Sequence, residues 1–177
     1  GGIVGDSNAV ISDCTNNGAV TGSDEAIDGI TGEQKVYGSV TGCVNNGTVT
    51  NNSTAYGCGG IVGFARYYYG TDSFYAKTGL LSINGNTNNA DVIGGTGCGG
   101  IVGAFYNYGE CNNNQNYAKK IAANGSFAAG IVANAQFPSG AGIGIPNAPA
   151  DAKLYIIGNV STTPVSDITG TGCLAQY

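Results

Sequence analysis

The stretch Gly57–Gly63, GCGGIVG, decides how this chain is read, because it returns letter for letter at Gly97–Gly103. The chain opens on the core of the same motif, GGIVG at Gly1–Gly5. Weaker copies read DGITG at Asp28–Gly32, AGIVA at Ala129–Ala133 and LYIIG at Leu154–Gly158. A second block is interleaved with the first: CTNNGAVTG from Cys14, CVNNGTVTN from Cys43 and NTNNADVIG from Asn86. Successive GGIVG-type blocks are spaced by 27, 31, 40, 30 and 25 residues. A period between about 20 and 50 residues marks a solenoid, propeller or array. Each unit is too small to bury an apolar face alone, so neighbouring units must stack.

Within a unit the local signals are those of short strands. Ile and Val are stiff at the first side-chain torsion and favour a pleated surface. They recur in pairs at Ile3-Val4, Ile61-Val62, Ile131-Val132 and, in reverse order, within Asp91-Val92-Ile93, and singly in Thr48-Val49-Thr50. Asn-Gly pairs at Asn17, Asn46, Asn84 and Asn124 predict tight turns with positive φ. The best helical candidate is NYAKKIAA, Asn116–Ala123, for one or two turns. A propeller blade needs four strands in about forty residues, more than this unit supplies. The expected fold is therefore an all-β solenoid, parallel β-helix-like, of about six coils with loop insertions. The units fall at about 1–27, 28–58, 59–98, 99–128, 129–153 and 154–177, in a single repeat domain. The glycines of GGIVG would let the backbone turn or approach its neighbour closely, and the Ile-Val pair would supply a core rung.

Composition narrows the function. The net charge is −5, with six Lys and Arg in 177 residues, too few for a phosphate-tracking stripe, so nucleic acid is not an expected partner. No apolar run reaches the length of a membrane span, and an opening at GGIVG reads as a processed or trimmed start. The chain has no His, which removes Ser-His-Asp and Cys-His pairs. Arg66 is the only arginine, and it is expected in an insertion rather than on a coil face with carboxylate partners. The expectation is no enzyme, no catalytic residues and no cofactor.

The repeated GGIVG after a polar Asn/Gly/Thr stretch resembles the GLUG-type repeats of bacterial secreted and surface proteins. The residues carrying the likeness are Gly1–Gly5, Gly59–Gly63 and Gly99–Gly103. The resemblance implies an extracellular β-solenoid with an adhesive or structural role, and it carries over no catalytic residues.

Six cysteines without histidine argue against zinc and fit disulfides in an oxidising compartment. Cys14 and Cys43 occupy one place in adjacent units, as do Cys58 and Cys98, which suggests those two pairs and leaves Cys111–Cys173. Fifteen connectivities exist, and buried thiols packed as small hydrophobes are the alternative. Asp24, Glu25 and Asp28 form a local acidic group without a calcium-loop pattern, so no metal site is expected. Five sequons, at Asn46, Asn51, Asn52, Asn124 and Asn159, would be glycan acceptors in a host that glycosylates asparagine. An Asn-, Ser- and Thr-rich chain also generates such triplets by chance.

The third unit carries an insertion rich in rings: Phe64, Tyr67, Tyr68, Tyr69, Phe74 and Tyr75, echoed by Phe105, Tyr106 and Tyr108 in the fourth. These rings suit either a lid on the core, a protein interface or a platform for sugars. Both chain ends fall at a coil junction and neither shows an obvious polar cap, so head-to-tail self-association into a surface filament is the leading expectation. Other surface proteins or glycans are the remaining partners. A carbohydrate-binding module built on the tyrosine insertion is the main alternative. An ice-binding solenoid is a minor one, because Thr48-Val49-Thr50 and Thr169-Gly170-Thr171 sit at different places in the repeat.

Overall fold

The computed structural model describes residues 1–35, 37–66, 81–106, 108–135 and 153–171, with the backbone of 174–175. Those residues form a parallel β-solenoid with five faces, each a sheet of five parallel strands. The first face stacks Val4–Ser7, Thr31–Gln34, Val62–Arg66, Val102–Tyr106 and Val132–Ala135. The second stacks Val10–Ser12, Ser39–Thr41, Leu81–Asn84, Gly109–Asn112 and Leu154–Tyr155. The third, one pleat wide, holds Thr15–Asn16, Val44–Asn45, Thr87–Asn88, Gln115–Asn116 and Val160–Ser161. The fourth holds Val20–Gly22, Val49–Asn51, Val92–Gly94, Ile121–Ala122 and Ile168–Thr169. The fifth closes each turn with Ile27–Asp28, Cys58–Gly59, Gly97–Gly99, Phe127–Ala129 and Leu174–Ala175. One strand from each face makes one coil.

The described strands therefore make five coils where six were expected. The blocks at Gly1, Asp28, Gly59, Gly99 and Ala129 are in phase, since Val4, Thr31, Val62, Val102 and Val132 share one column. The block at Leu154 is not, because Leu154 pairs with Gly109 on the second face. Its apolar letters imitate the motif while serving a different face. Likewise no helix forms over Asn116–Ala123: Asn116 ends a strand of the third face and Ile121 begins one of the fourth. Among the described residues the one helical element is a single 3-10 turn at Val165–Asp167.

The core has two apolar parts. Ile30, Ile61, Ile101, Val40, Ile83 and Phe105 anchor the larger one beneath the first two faces. Val49, Val92, Ile121, Cys58 and Cys98 anchor the smaller one beneath the fourth and fifth. The expected rung is present, with Ile61 and Val62 both fully buried.

Between the two apolar parts runs a buried ladder of amides that the sequence reading did not anticipate. Asn16 Nδ2 donates to Asn45 Oδ1, Asn45 Nδ2 to Asn88 Oδ1, and Asn88 Nδ2 to Asn116 Oδ1, each at 2.9 Å. Asn116 Nδ2 continues to Ser161 Oγ at 3.0 Å. A shorter ladder, Asn86 to Asn114 to Asn159, runs two residues before it at 3.0 Å per step. Burying an amide is tolerated only when its hydrogen bonds are made, and here they are made to the next coil.

This ladder explains the motif. The second glycine of GGIVG-type blocks lies against the ladder. A Cβ on Gly29 would sit 2.3 Å from Asn45 Cγ, one on Gly60 2.4 Å from Asn88 Cγ, and one on Gly100 2.4 Å from Asn116 Cγ. The two interleaved repeats are thus the two halves of one contact, glycine from one wall and asparagine from the other.

The turns also differ from expectation. Of the four Asn-Gly pairs only Asn84-Gly85 has its glycine at positive φ, 65°. At Gly18 and Gly47 the preceding ladder asparagine makes the turn instead, its Oδ1 accepting the glycine N–H at 3.1 and 3.2 Å. The left-handed corner lies between the second and third faces, at Asp13, Gly42, Gly85, Asn113 and Gly158, with φ between 54° and 69°. Asp, Asn and Gly are the residues that adopt this conformation at least cost.

Candidate functional site

The two outer coils present the strongest candidate surface, because they break columns that are sealed elsewhere. Ile30, Ile61 and Ile101 are fully buried, whereas Ile3, their register neighbour in the first coil, is 44% exposed. Val40, Ile83 and Cys111 are fully buried, whereas Ile156, next in that column, is 42% exposed. Val20 and Ile168 bracket the buried Val49, Val92 and Ile121 in the same way. The amide ladder shows the same break. Asn45, Asn88 and Asn116 each accept both a turn N–H and the amide of the preceding coil. Asn16 Oδ1 accepts the Gly18 N–H alone.

The aromatic platform is not brought together as a surface in the described residues. Phe64, Phe105 and Tyr108 are buried, and Tyr106 is half-buried, its ring 5.7 Å from Phe64 and its hydroxyl accepting from Asn134 Nδ2 at 2.8 Å. Tyr67, Tyr68, Tyr69, Phe74 and Tyr75 lie outside the described residues.

Arg66 departs from its expected place. It ends a strand of the first face and grips Glu33 with two 2.9 Å bonds, one from Nε and one from Nη2. Its guanidinium lies 4.6 Å from the Phe64 ring centre, and Glu25 stands 3.8 Å away. Hydrogen bonding to Glu33 holds the guanidinium pKa above its usual value. Lys35 contacts Asp6 beside this group, so Asp6, Glu33, Lys35 and Arg66 neutralise one another across three coils. A charge cluster this well paired has no cation left over for a ligand.

Cys58 and Cys98 are register partners, and Cys14 stacks on Cys43 one position before the Thr15–Val44 pair. The five described cysteines are thiols in this structure, and Cys173 lies outside the described residues. The hydrogen bond from Cys98, then burial, pushes the Cys58 thiol well up, and burial raises Cys43. Burial takes Cys111 up to about 12. Cys111 fills the column of Ile11, Val40 and Ile83, as a small hydrophobe does. Such thiols are poor nucleophiles because the thiolate is scarce.

Asp28 occupies the place of the first glycine of the motif, stacking on Gly59 and Gly99. It is fully buried, and although Gly63 lies alongside, no well-formed hydrogen bond reaches either carboxylate oxygen. Burial raises its pKa well above 3.8. Asp24 and Glu25 do not converge on it: Asp24 Oδ1 accepts the Glu25 N–H, and Glu25 faces Arg66. Among the described residues no group of three acidic, cysteine or histidine side chains is placed to hold a metal. No helix there is long and apolar enough to cross a membrane.

The two Thr-x-Thr motifs are out of phase by two residues, as the repeat implied, and overlap at one column. Thr50 and Thr169 do share an outward column, with Thr21, but Ile93 and Ala122 stand between them. An unbroken threonine ladder is not formed on the fourth face.

Comparison with family models, curated proteins and solved structures finds no match. The repeating parallel solenoid is therefore established by its own register rather than by kinship.

Proposed function

We propose that this chain is an extracellular structural or adhesive solenoid of the GLUG-repeat kind that associates end to end. The observation that carries the reading is that each outer coil opens a column sealed elsewhere, the first coil at Ile3 and the last at Ile156, although Ile11 and Ile131 stay buried at the opposite ends of those columns. Ile3 and Ile156 are partly exposed members of columns whose other members are buried. The open strand edges of the first and last coils are templates for pairing with another parallel coil. The amide ladder gives the contact a direction. Ser161 Oγ accepts from Asn116 and retains a hydroxyl proton to donate, while Asn16 Oδ1 retains a lone pair. Ser161 of one copy therefore meets Asn16 of the next, a heterologous contact that propagates instead of closing.

Within this reading Cys14–Cys43 and Cys58–Cys98 are coil-to-coil disulfide staples after export, since stacked register partners fall within the reach of a disulfide. Non-reducing peptide mapping of native material that links Cys58 to a residue other than Cys98 removes that part. Sugar binding through the tyrosine insertion draws no support from the described rings, which are buried or half-buried. Ice binding loses its ladder at Ile93 and Ala122.

Sedimentation velocity tests the association. The chain is expected to sediment faster as concentration rises, and Ile3→Asp or Ile156→Asp to hold it monomeric with an unchanged circular dichroism spectrum. A concentration-independent monomer for the unsubstituted chain refutes end-to-end association.

A further inference from the structure

We propose that Asn52 is the N-glycan acceptor of this protein, with Asn124 as a second acceptor on the same edge of the solenoid. The five sequons are equivalent as sequence, and the fold separates them. Asn51 is 1% exposed, its Nδ2 donating to Asp24 O at 2.9 Å and its Oδ1 accepting from Ser53 N and Oγ. Asn159 Nδ2 donates to Cys111 O at 2.7 Å, and its Oδ1 carries the shorter ladder. Asn46 is exposed but clasped between Asn17 and Asn89, donating to one and accepting from the other at 2.8 Å. Each of these three nitrogens is held against a neighbouring coil or loop, so a sugar there must be accommodated where the amide already makes its contact.

Asn52 is the opposite case. It is exposed, and only its backbone N–H is engaged, by Gly22 O at 2.8 Å. It sits in the longest corner connection between the fourth and fifth faces. Six residues, 52–57, link Asn51 to Cys58, whereas two, 95–96, link Gly94 to Gly97 in the next coil. The added length projects outward and is held in shape from beneath. Asn51 Oδ1 pins Ser53, and Ser53 Oγ accepts the Ala55 N–H at 3.0 Å. The Asn52 amide and Thr54, the hydroxyl residue of its sequon, are thereby both left on the exposed side. Asn124 is also exposed and lies against the same loop, its Nδ2 making only a long 3.4 Å bond to Ser53 O.

The donor is a polyprenyl-diphosphate-linked oligosaccharide. A bond forms between Asn52 Nδ2 and sugar C1, the C1–oxygen bond to the diphosphate breaks with its electron pair, and an amide proton passes to the transferase's base. Nothing is oxidised or reduced. Glycans at this corner lie beside the coils and leave both outer coils open, so the proposal does not depend on end-to-end association.

The test is glycopeptide mapping of the protein from its own source, with fragmentation that keeps the sugar attached. Cleavage after Lys35 and Arg66 places Asn46, Asn51 and Asn52 on one peptide, while Asn124 and Asn159 fall on two others. Sugar is expected on Asn52, then Asn124, and none on Asn159. Thr54→Ala, made in that source, is expected to remove the Asn52 glycan. Ser53→Ala, which breaks only the Asn51 sequon, is expected to leave it. An unmodified peptide, or sugar localised to Asn46, Asn51 or Asn159, overturns the assignment.

Discussion

The middle coils and the outer coils share apolar columns and an amide ladder, and they differ in what covers them and in the last rung, where Ser161 stands in the asparagine place. Ile83 and Ile156 belong to one column; the first is fully buried and the second 42% exposed. Asn88 has amide partners in the coil before and the coil after, whereas Asn16 has a partner on one side. A solenoid that ends in polar caps changes its chemistry at the last coil. Here the apolar columns run into both outer coils, and the amide ladder runs from Asn16 to a hydroxyl rung at Ser161. In each outer coil a residue of an otherwise buried column has a neighbour on one side only, and on that difference the end-to-end proposal rests.

The largest effect is expected in the middle. Asn88→Leu leaves one N–H of the Asn45 amide and the N–H of Ala90 without their acceptor, while Gly47 O still holds the Asn45 amide and the Ala118 N–H still reaches Asn116 Oδ1. At about 1–3 kcal/mol for each buried unsatisfied group, chemical denaturation should show a loss of about 2–6 kcal/mol. A loss below about 1 kcal/mol would mean that the ladder is incidental to stability.

Next comes the direct contrast along one column. Ile83→Ala should cost about 2–5 kcal/mol, as a fully buried truncation does. Ile156→Ala should cost about 1 kcal/mol or less in the dilute monomer and instead weaken association. Equal destabilisation would erase the distinction between the coils.

Gly60→Ala probes the wall opposite the ladder. Its Cβ would lie 2.1 Å from Gly100 O and 2.4 Å from Asn88 Cγ, so backbone must shift, at about 1–3 kcal/mol by thermal melting. Gly85→Ala is a control without that crowding, since nothing lies within 4 Å of its Cβ and only its φ of 65° is strained.

The smallest and most conditional effect belongs to Asp28. Its folded pKa is raised, so the stability linked to its proton is complete below the unfolded value near 3.9 and is lost as pH rises through the folded value. Asp28→Asn should therefore raise the melting temperature at neutral pH and flatten its fall above about pH 4. A variant that melts lower than the parent at pH 7 would show the carboxylate to be paired.

Much of this fold was legible because the glycine motif marks phase. Gly59 and Gly99 start the same stretch of two successive coils, and the Ile-Val pair that follows is buried as its β-branching suggests. Phase failed at Leu154, where apolar letters alone did not reveal which face they serve. The ladder had a visible signal in the first Asn of three Asn-Asn pairs at equivalent places in the repeat, Asn16, Asn45 and Asn88, and in Asn116. That signal was read as turn chemistry, since polar residues are ordinarily placed outside and only a repeating interior gives an amide an identical partner in the next coil. The left-handed corner was equally open to view in Asp13, Gly42, Gly85, Asn113 and Gly158, once aligned. The aromatic rings misled because Phe105 points into the core and Phe64, one register position away on the other side of the strand, is covered by Arg66 and Tyr106, directions set by strand register and not by composition.

Whether an outer coil accepts another copy is decided most directly by electron microscopy of the purified chain at rising concentration. Five coils at about 4.8 Å each predict unbranched threads with an axial repeat near 24 Å, lost in Ile156→Asp. Dispersed single particles at every concentration, or threads that survive Ile156→Asp unchanged, would contradict the account.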